Sequence, residues 1–319
     1  MTKLWRNLPF LWIAFGLLLS CASYYGYQLL LDANGNAEKM SHSIESKESN
    51  QRKRKKKFEE ATYCPRQIKP VTPAAYAKAQ LHYVEIVNQW GVGSLFIPSA
   101  DIHSKILAGI DNQNLMVGVG TYYKDQQLGK GNVVLMAHNL VQGGGVLGNL
   151  RKTGLQQVFY LTDFIDVFEY VAEKNEVVDQ SRGEIMDIPA LGESAIVTLI
   201  RCEGGMNTPN RAIVQGTFLK KYPASEATEE VKLGLGLAEG LWISEEVSSG
   251  QQNVTKETTI QMTKEPIEKT KKPIYSTLQV LCIYLYTVLN EAPFIIGISY
   301  LAGLLALTHI ATRMQCRFN

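Results

Sequence analysis

Cys202, His138 and Arg211 stand where short apolar runs end, and together they are the residue types that acyl transfer needs. Cys202 follows Ala-Ile-Val-Thr-Leu-Ile-Arg at 195–201 and precedes Glu-Gly-Gly-Met-Asn-Thr-Pro-Asn at 203–210, a loop composition. His138 closes Val-Val-Leu-Met-Ala at 133–137 and is followed by Asn-Leu-Val-Gln-Gly-Gly-Gly, while Arg211 opens the next apolar run, nine positions after Cys202. A thiolate can attack a carbonyl, an imidazole can handle the leaving amine's proton, and a guanidinium can donate to the developing oxyanion. A free thiol has a pKa of about 8.5, so His and Arg neighbours favour the reactive thiolate. Each residue alone has an ordinary alternative. A Cys after an apolar strand is commonly a small buried hydrophobe, a His at a strand end is commonly structural, and an Arg opening a strand is commonly a surface charge. Residue types and spacing alone leave a cysteine-hydrolase chemistry standing beside those structural roles.

Strands must deliver the three side chains. Short β-branched or alternating runs occur at 92–98, 132–138, 157–162, 167–172, 195–200 and 211–219, punctuated by Gly, Asn and Asp. This spacing predicts a closed or nearly closed antiparallel barrel rather than a parallel α/β sheet. Pro73 to Val87 reads as a helix, with Pro near its first turn and apolar residues at helical spacing. Residues 73–222 therefore form one domain of ordinary size.

The flanks differ in composition. Residues 8–31 form a run of 24 without Asp, Glu, Lys or Arg, long enough to cross a bilayer and read as a retained anchor, so 1–31 is the N-terminal anchor. Residues 32–72 are a basic polar linker containing Arg52 to Lys57, read as a solvated tether or an electrostatic attachment to anionic polymers. Residues 223–277 are a second polar linker, except for an island at 233–243 that could pack back on the domain. Residues 278–319 are a second membrane segment with a short basic tail, its better span being Phe294 to Ile310. Lys3, Arg6, Arg313 and Arg317 place both termini in the cytoplasm and the central domain outside, and Arg52 to Lys57 resist that assignment. Linkers of this composition transmit no rigid constraint between anchors and domain.

The five cysteines (Cys21, Cys64, Cys202, Cys282 and Cys316) form no Cys-x-x-Cys pair, so neither a disulfide framework nor a zinc site is expected. A formal net charge of +2 does not imply nucleic-acid binding.

Thr-Leu-Ile-Arg-Cys at 198–202 with Arg211 downstream resembles the sortase signature Thr-Leu-x-Thr-Cys with its Arg, and Gly-Asn-Val-Val-Leu-Met-Ala-His-Asn at 131–139 resembles the segment bearing the sortase His. The order His, Cys, Arg matches as well. Val-Gly-Ser-Leu-Phe-Ile-Pro-Ser at 92–99, Gly-Val-Gly-Thr-Tyr-Tyr at 118–123 and Val-Leu-Gly-Asn-Leu at 146–150 extend the likeness over roughly 75–222. The resemblance implies a closed eight-stranded sortase-type β-barrel with short helices, flanked here by N- and C-terminal transmembrane helices. It implies a cysteine transpeptidase of Gram-positive cells that anchors surface proteins to the cell wall. Cys202 would attack the Thr-Gly bond of a Leu-Pro-x-Thr-Gly-like sorting signal, and a peptidoglycan-precursor amine would resolve the thioacyl-enzyme. His138, Cys202 and Arg211 are then catalytic, and Met136, Ala137 and Arg201 contact substrate, Arg201 standing where the family has Thr. No cofactor or metal is implied. Met-Ala-His-Asn resembles the housekeeping class A pattern, whereas the C-terminal span and the Cys-to-Arg spacing resemble the pilus class C. The alternatives are a pilin polymerase with a Lys amine as acceptor, or a catalytically silent membrane scaffold.

Overall fold

The computed structural model describes residues 2–31, 33–44, 47–140, 145–204, 208–238 and 274–318. Helices α1 (Thr2–Leu31) and α2 (Ala33–Lys39) lead to a short strand β1 (His42–Ser43) and to α3 (Lys47–Glu60). Then come α4 (Pro73–Leu81), α5 (Tyr83–Trp90), β2 (Gly91–Ile97), β3 (Ile102–Leu107), α6 (Asn112–Val117), β4 (Val119–Thr121) and β5 (Asn132–Ala137). The chain continues through β6 (Val158–Thr162), β7 (Asp166–Asp179), β8 (Ile196–Cys202) and β9 (Asn210–Pro223). It ends with α7 (Glu229–Leu235), β10 (Leu237–Ala238), α8 (Thr277–Glu291) and α9 (Pro293–Phe318).

Strands β2 to β9 close into the expected eight-stranded barrel, in the order β2-β3-β4-β5-β8-β9-β7-β6. The expectation of an antiparallel barrel needs correction, because β3–β4 and β5–β8 pair in parallel. The cause is connectivity: α6 crosses over between β3 and β4, and the β6–β7 hairpin is inserted between β5 and β8, so each second strand returns in the direction of the first. Residues alternate across the wall. Val133, Leu135, Val197, Leu199 and Val214 point into a core shared with Phe159 and Tyr170, each such side chain stabilising by about 1.5–3 kcal/mol. Gly216 on β9 lets the Phe159 ring into that core, since a Cβ there would lie 2.5 Å from it.

The helix expected at 73–87 is two helices. Thr72 caps α4 by accepting a hydrogen bond from the Ala75 amide, with Pro73 in the first turn. His82 then leaves helical geometry (φ −99°, ψ 21°) and α5 restarts, which turns Tyr76 and Tyr83 into one buried cluster.

Two stretches read as linkers carry structure. The basic run at 52–57 lies on α3, strapped to the barrel by Asn50 Nδ2 donating to the Asp163 carbonyl (2.9 Å) and an Arg54–Asp163 ion pair at 3.0 Å. Lys57 Nζ adds bonds to the carbonyls of Asn88 (2.9 Å) and Gly91 (2.7 Å), and Phe58 packs on the barrel core. Composition undervalued this helix because its anchors are polar and only one large apolar side chain is needed. On the other side, Thr228 caps α7, and Val231, Leu235 and Leu237 pack with Phe96 and Phe164. Part of the 233–243 island thus does pack back on the barrel, while residues 239–273 lie outside the described residues.

Asn7–Leu31 and Pro293–Met314 are each long and apolar enough to cross a membrane. They also touch. Trp12 stacks on Tyr300 at 5.5 Å and donates through Nε1 to its carbonyl at 3.2 Å, and Gly26 rests against the Cys282 carbonyl. Leu30 of α1 and Ile283 and Tyr286 of α8 join Tyr76, Ala77 and Tyr83 in one buried cluster. Helices α1 and α8 are therefore packed onto the α4–α5 layer, where they find apolar partners on the domain itself, and α9 packs against α1.

Candidate active site

Strand register assembles the site. β8 and β9 run antiparallel with Cys202 opposite Arg211, Ile200 opposite Ile213 and Thr198 opposite Gln215. β5 and β8 run parallel with Val134 beside Thr198, Met136 beside Ile200 and Ala137 beside Arg201. One residue further, His138 comes level with Cys202. By alternation, Met136 and His138, Ile200 and Cys202, and Arg211 and Ile213 all share the outer face of the barrel wall. Val134, Val178, Ile200 and Ile213 form a buried cluster on that face, with Met136, Ile185 and Met186 packed against it. The three residues suspected of chemistry thus form one row at the end of three adjacent strands, beside an apolar row.

His138 is held from two sides. Its backbone amide donates to the Leu115 carbonyl at 2.9 Å, and its Nε2 lies 3.1 Å from Asn112 Oδ1. Asn112 Oδ1 also accepts from the Lys69 amide at 3.0 Å, which assigns that atom as the oxygen. Nε2 consequently carries the imidazole proton, and Nδ1 is the ring nitrogen left to accept one. Burial pushes the His138 pKa down to about 4, so the ring is neutral at ordinary pH. Sequence offered no sign of Asn112 in this role: it lies 26 positions from His138, and only the packing of α6 against the end of β5 joins them.

Arg211 is fixed by its own loop. Nη1 donates to the carbonyls of Thr208 (2.7 Å) and Asn210 (2.9 Å), and Nη2 donates to Gln180 Oε1 at 2.8 Å. Of five guanidinium hydrogens, Nε–H and one on Nη2 stay available for an oxyanion. Cys202 is half-buried and carries a free thiol.

The residues expected to contact substrate divide between the two faces. Met136 is on the outer face and half-buried. Ala137 points into the barrel core, so it supplies no groove surface. Arg201 shares the inward parity of Val197 and Leu199 and is 7% exposed. Its guanidinium turns back to the Cys202 carbonyl (Nη1, 2.9 Å) and lies 2.8 Å from Glu203 Oε2. Desolvation lowers the Arg201 pKa, with Glu203 opposing. Ala137 and Arg201 are thus brought beside the row in register but on the wrong side of the strands for direct contact. Among the described residues no group of three or more His, Cys, Asp or Glu side chains is placed to hold a metal ion.

With this geometry in hand, residues 95–218 match the family model of the sortase domain. The match runs from β2 to β9, so the barrel carries the likeness to the sortase domain. The chain is similar to sortase A of Listeria monocytogenes, 28% identical over 138 residues, covering 43% of this chain and 61% of the relative. It is also similar to sortase A of Bacillus anthracis, 26% identical over 128 residues, covering 40% of this chain and 60% of the relative. The chain thus spans about three-fifths of the length of these relatives. The crystal structure of Listeria monocytogenes sortase A aligns at 27% identity with a TM-score of 0.41, covering 46% of this chain and 97% of that one. Helices α3 and α7 to α9 lie outside the matched segment.

Proposed function

We propose that this chain is a membrane-held cysteine transpeptidase in which Cys202, His138 and Arg211 do the chemistry. The observation that carries the proposal is the row itself: the Cys202–Arg211 pair in direct register, with His138 one position past the last paired residue of β5. In this mechanism the Cys202 thiol gives its proton to neutral His138 and Sγ attacks the scissile carbonyl. Arg211 donates to the oxyanion as the tetrahedral intermediate forms. The C–N bond breaks, the proton passes from His138 to the departing amine, and a thioacyl-enzyme remains. A second amine then attacks the thioester, a new amide forms and Cys202 recovers its proton.

The substrate class is a Leu-Pro-x-Thr-Gly-like sorting signal on a surface protein, with a cell-wall precursor amine as acceptor. Met136, half-buried on the outer face and packed against buried Ile200 and Ile213, supplies apolar surface that such a signal would meet upstream of the thiol. The two long apolar helices support membrane attachment, with the domain outside and both termini in the cytoplasm. Residues 73–222 would be the catalytic core, with α3 and α7 as braces and the paired helices as anchor.

The test uses the full chain in lipid nanodiscs. Incubation with a Leu-Pro-x-Thr-Gly peptide is expected to give an acyl adduct on Cys202 by mass spectrometry, released by an added amine as a new amide. A protein that cleaves nothing and acquires no adduct over a panel of such signals would end the proposal.

A further inference from the structure

The loop from β7 to β8 begins with a turn at Gly183–Met186, which lays Ile185 and Met186 on the outer-face cluster. One atom of this turn is held unusually well. The Ile185 carbonyl accepts from Asn132 Nδ2 at 3.1 Å and from Gln215 Nε2 at 2.9 Å. The second Asn132 Nδ2 hydrogen goes to the Asp187 carbonyl at 3.0 Å, and the second Gln215 Nε2 hydrogen goes to Thr198 Oγ1 at 3.0 Å. Thr198 Oγ1 gives its proton to Asn132 Oδ1 at 2.8 Å and lies 3.3 Å from the Ile185 oxygen. Both amide NH2 groups and the hydroxyl are used completely.

These three residues come one from each strand that ends in the Cys202 row. Asn132 lies six residues from His138, Thr198 four from Cys202 and Gln215 four from Arg211. Even spacing puts them on the same outer face. The order along that face is a reactive row, an apolar row and then Thr198 and Gln215 level with Val134, about 13 Å from the first at roughly 3.3 Å per residue, with Asn132 two residues further along β5. All three side chains are buried. Burying polar groups where Val134, Ile200 and Ile213 show that apolar ones fit costs stability unless every hydrogen bond is made. What the network gains is a fixed position for the loop.

We propose that Asn132, Thr198 and Gln215 are positioning residues that clamp the Ile185–Asp187 backbone and so hold Ile185 and Met186 beside Met136, the half-buried apolar surface next to the reactive row that the apolar part of the substrate would meet. This inference rests on the acyl-transfer reading above. The clamp sets how tightly the signal binds and leaves the reacting atoms alone, because it touches none of them.

The test compares full-length wild type in nanodiscs with Gln215→Met and Thr198→Val, two near-isosteric changes that remove donors, and with Thr198→Ser, which keeps the hydroxyl. Amide hydrogen exchange over 183–187 is expected to quicken about 10-fold or more in the first two and to stay at the wild-type rate in Thr198→Ser. Peptide KM is expected to rise about 10-fold, the size of one lost buried hydrogen bond, while kcat stays within about threefold. Unchanged exchange in both variants would overturn the clamp, as would a fall in kcat with KM intact. If wild type cleaves no peptide, the transpeptidase reading fails, and the exchange rates alone still decide whether these residues hold the loop.

Discussion

Strands β5, β8 and β9 carry two surfaces on alternate residues of the same backbone. Inward, Leu135, Leu199 and Val214 are buried among other apolar side chains. Outward, the same strands present the polar clamp, the apolar row of Met136, Ile200 and Ile213, and the row of His138, Cys202 and Arg211. The inward face is bound by packing density and tolerates little change in volume. The outward face is half-buried at the end that carries Cys202 and Arg211, and there hydrogen bonds rather than packing hold the Arg211 side chain. Stability and chemistry should therefore separate by residue parity, and substitutions can test how cleanly.

The largest contrast is between neighbours on β8. Cys202→Ala is expected to abolish acyl-adduct formation while thermal unfolding stays within a degree or two of wild type. Leu199→Ala, three positions earlier and facing inward, is expected to cost about 2–5 kcal/mol of stability by leaving a cavity. Turnover persisting in Cys202→Ala, measured by peptide cleavage, would dissolve the distinction between the faces.

Arg211→Lys comes next. A Lys point charge cannot reproduce a fork held by Thr208, Asn210 and Gln180 while also donating outward. We expect kcat/KM to fall about 100-fold, mostly in kcat, with the circular dichroism spectrum unchanged. Equal kcat/KM in the two proteins would reduce Arg211 to a surface charge.

A pH experiment sharpens the comparison at His138. Its folded pKa of about 4 lies below its unfolded value of about 6.5, so in that window the unfolded chain binds the proton more readily. The stability linked to neutral His138 is complete above pH 6.5 and is lost as pH falls toward 4, by up to about 3 kcal/mol. Urea unfolding of wild type and His138→Gln between pH 7 and pH 4 measures this as the difference between two slopes. Parallel curves would show that the imidazole is not held neutral by burial.

The smallest effect is expected at Arg201. Because its side chain takes the inward parity and closes on the Cys202 carbonyl and Glu203, Arg201→Thr should leave the ranking of substrate peptides unchanged and shift kcat/KM by less than about tenfold. A reordered ranking would mean that residue 201 reaches the substrate across the strand.

Much of this arrangement was legible in the chain. Period-two alternation along 132–138, 195–200 and 211–219 marks strands, and the spacing of turn residues marks a closed β architecture. The Cys, His and Arg at their ends were visible for the same reason, since where an apolar run stops is a local property. Strand direction was not local: the parallel pairings of β3 with β4 and β5 with β8 depend on crossovers that composition does not reveal.

Local pattern marks the apolar spans, the strands and the Cys, His and Arg that stand at their ends, because burial and alternation are written residue by residue. The neighbours of those side chains come from the folded barrel. It brought Asn112 to His138 across 26 residues, turned Ala137 and Arg201 to the inner side, and strapped the basic run of α3 to Asp163. It also closed Asn132, Thr198 and Gln215 on a single carbonyl. Hydrogen-bonded partners far apart in the chain meet only when strand order and register are set, and both are properties of the closed barrel as a whole.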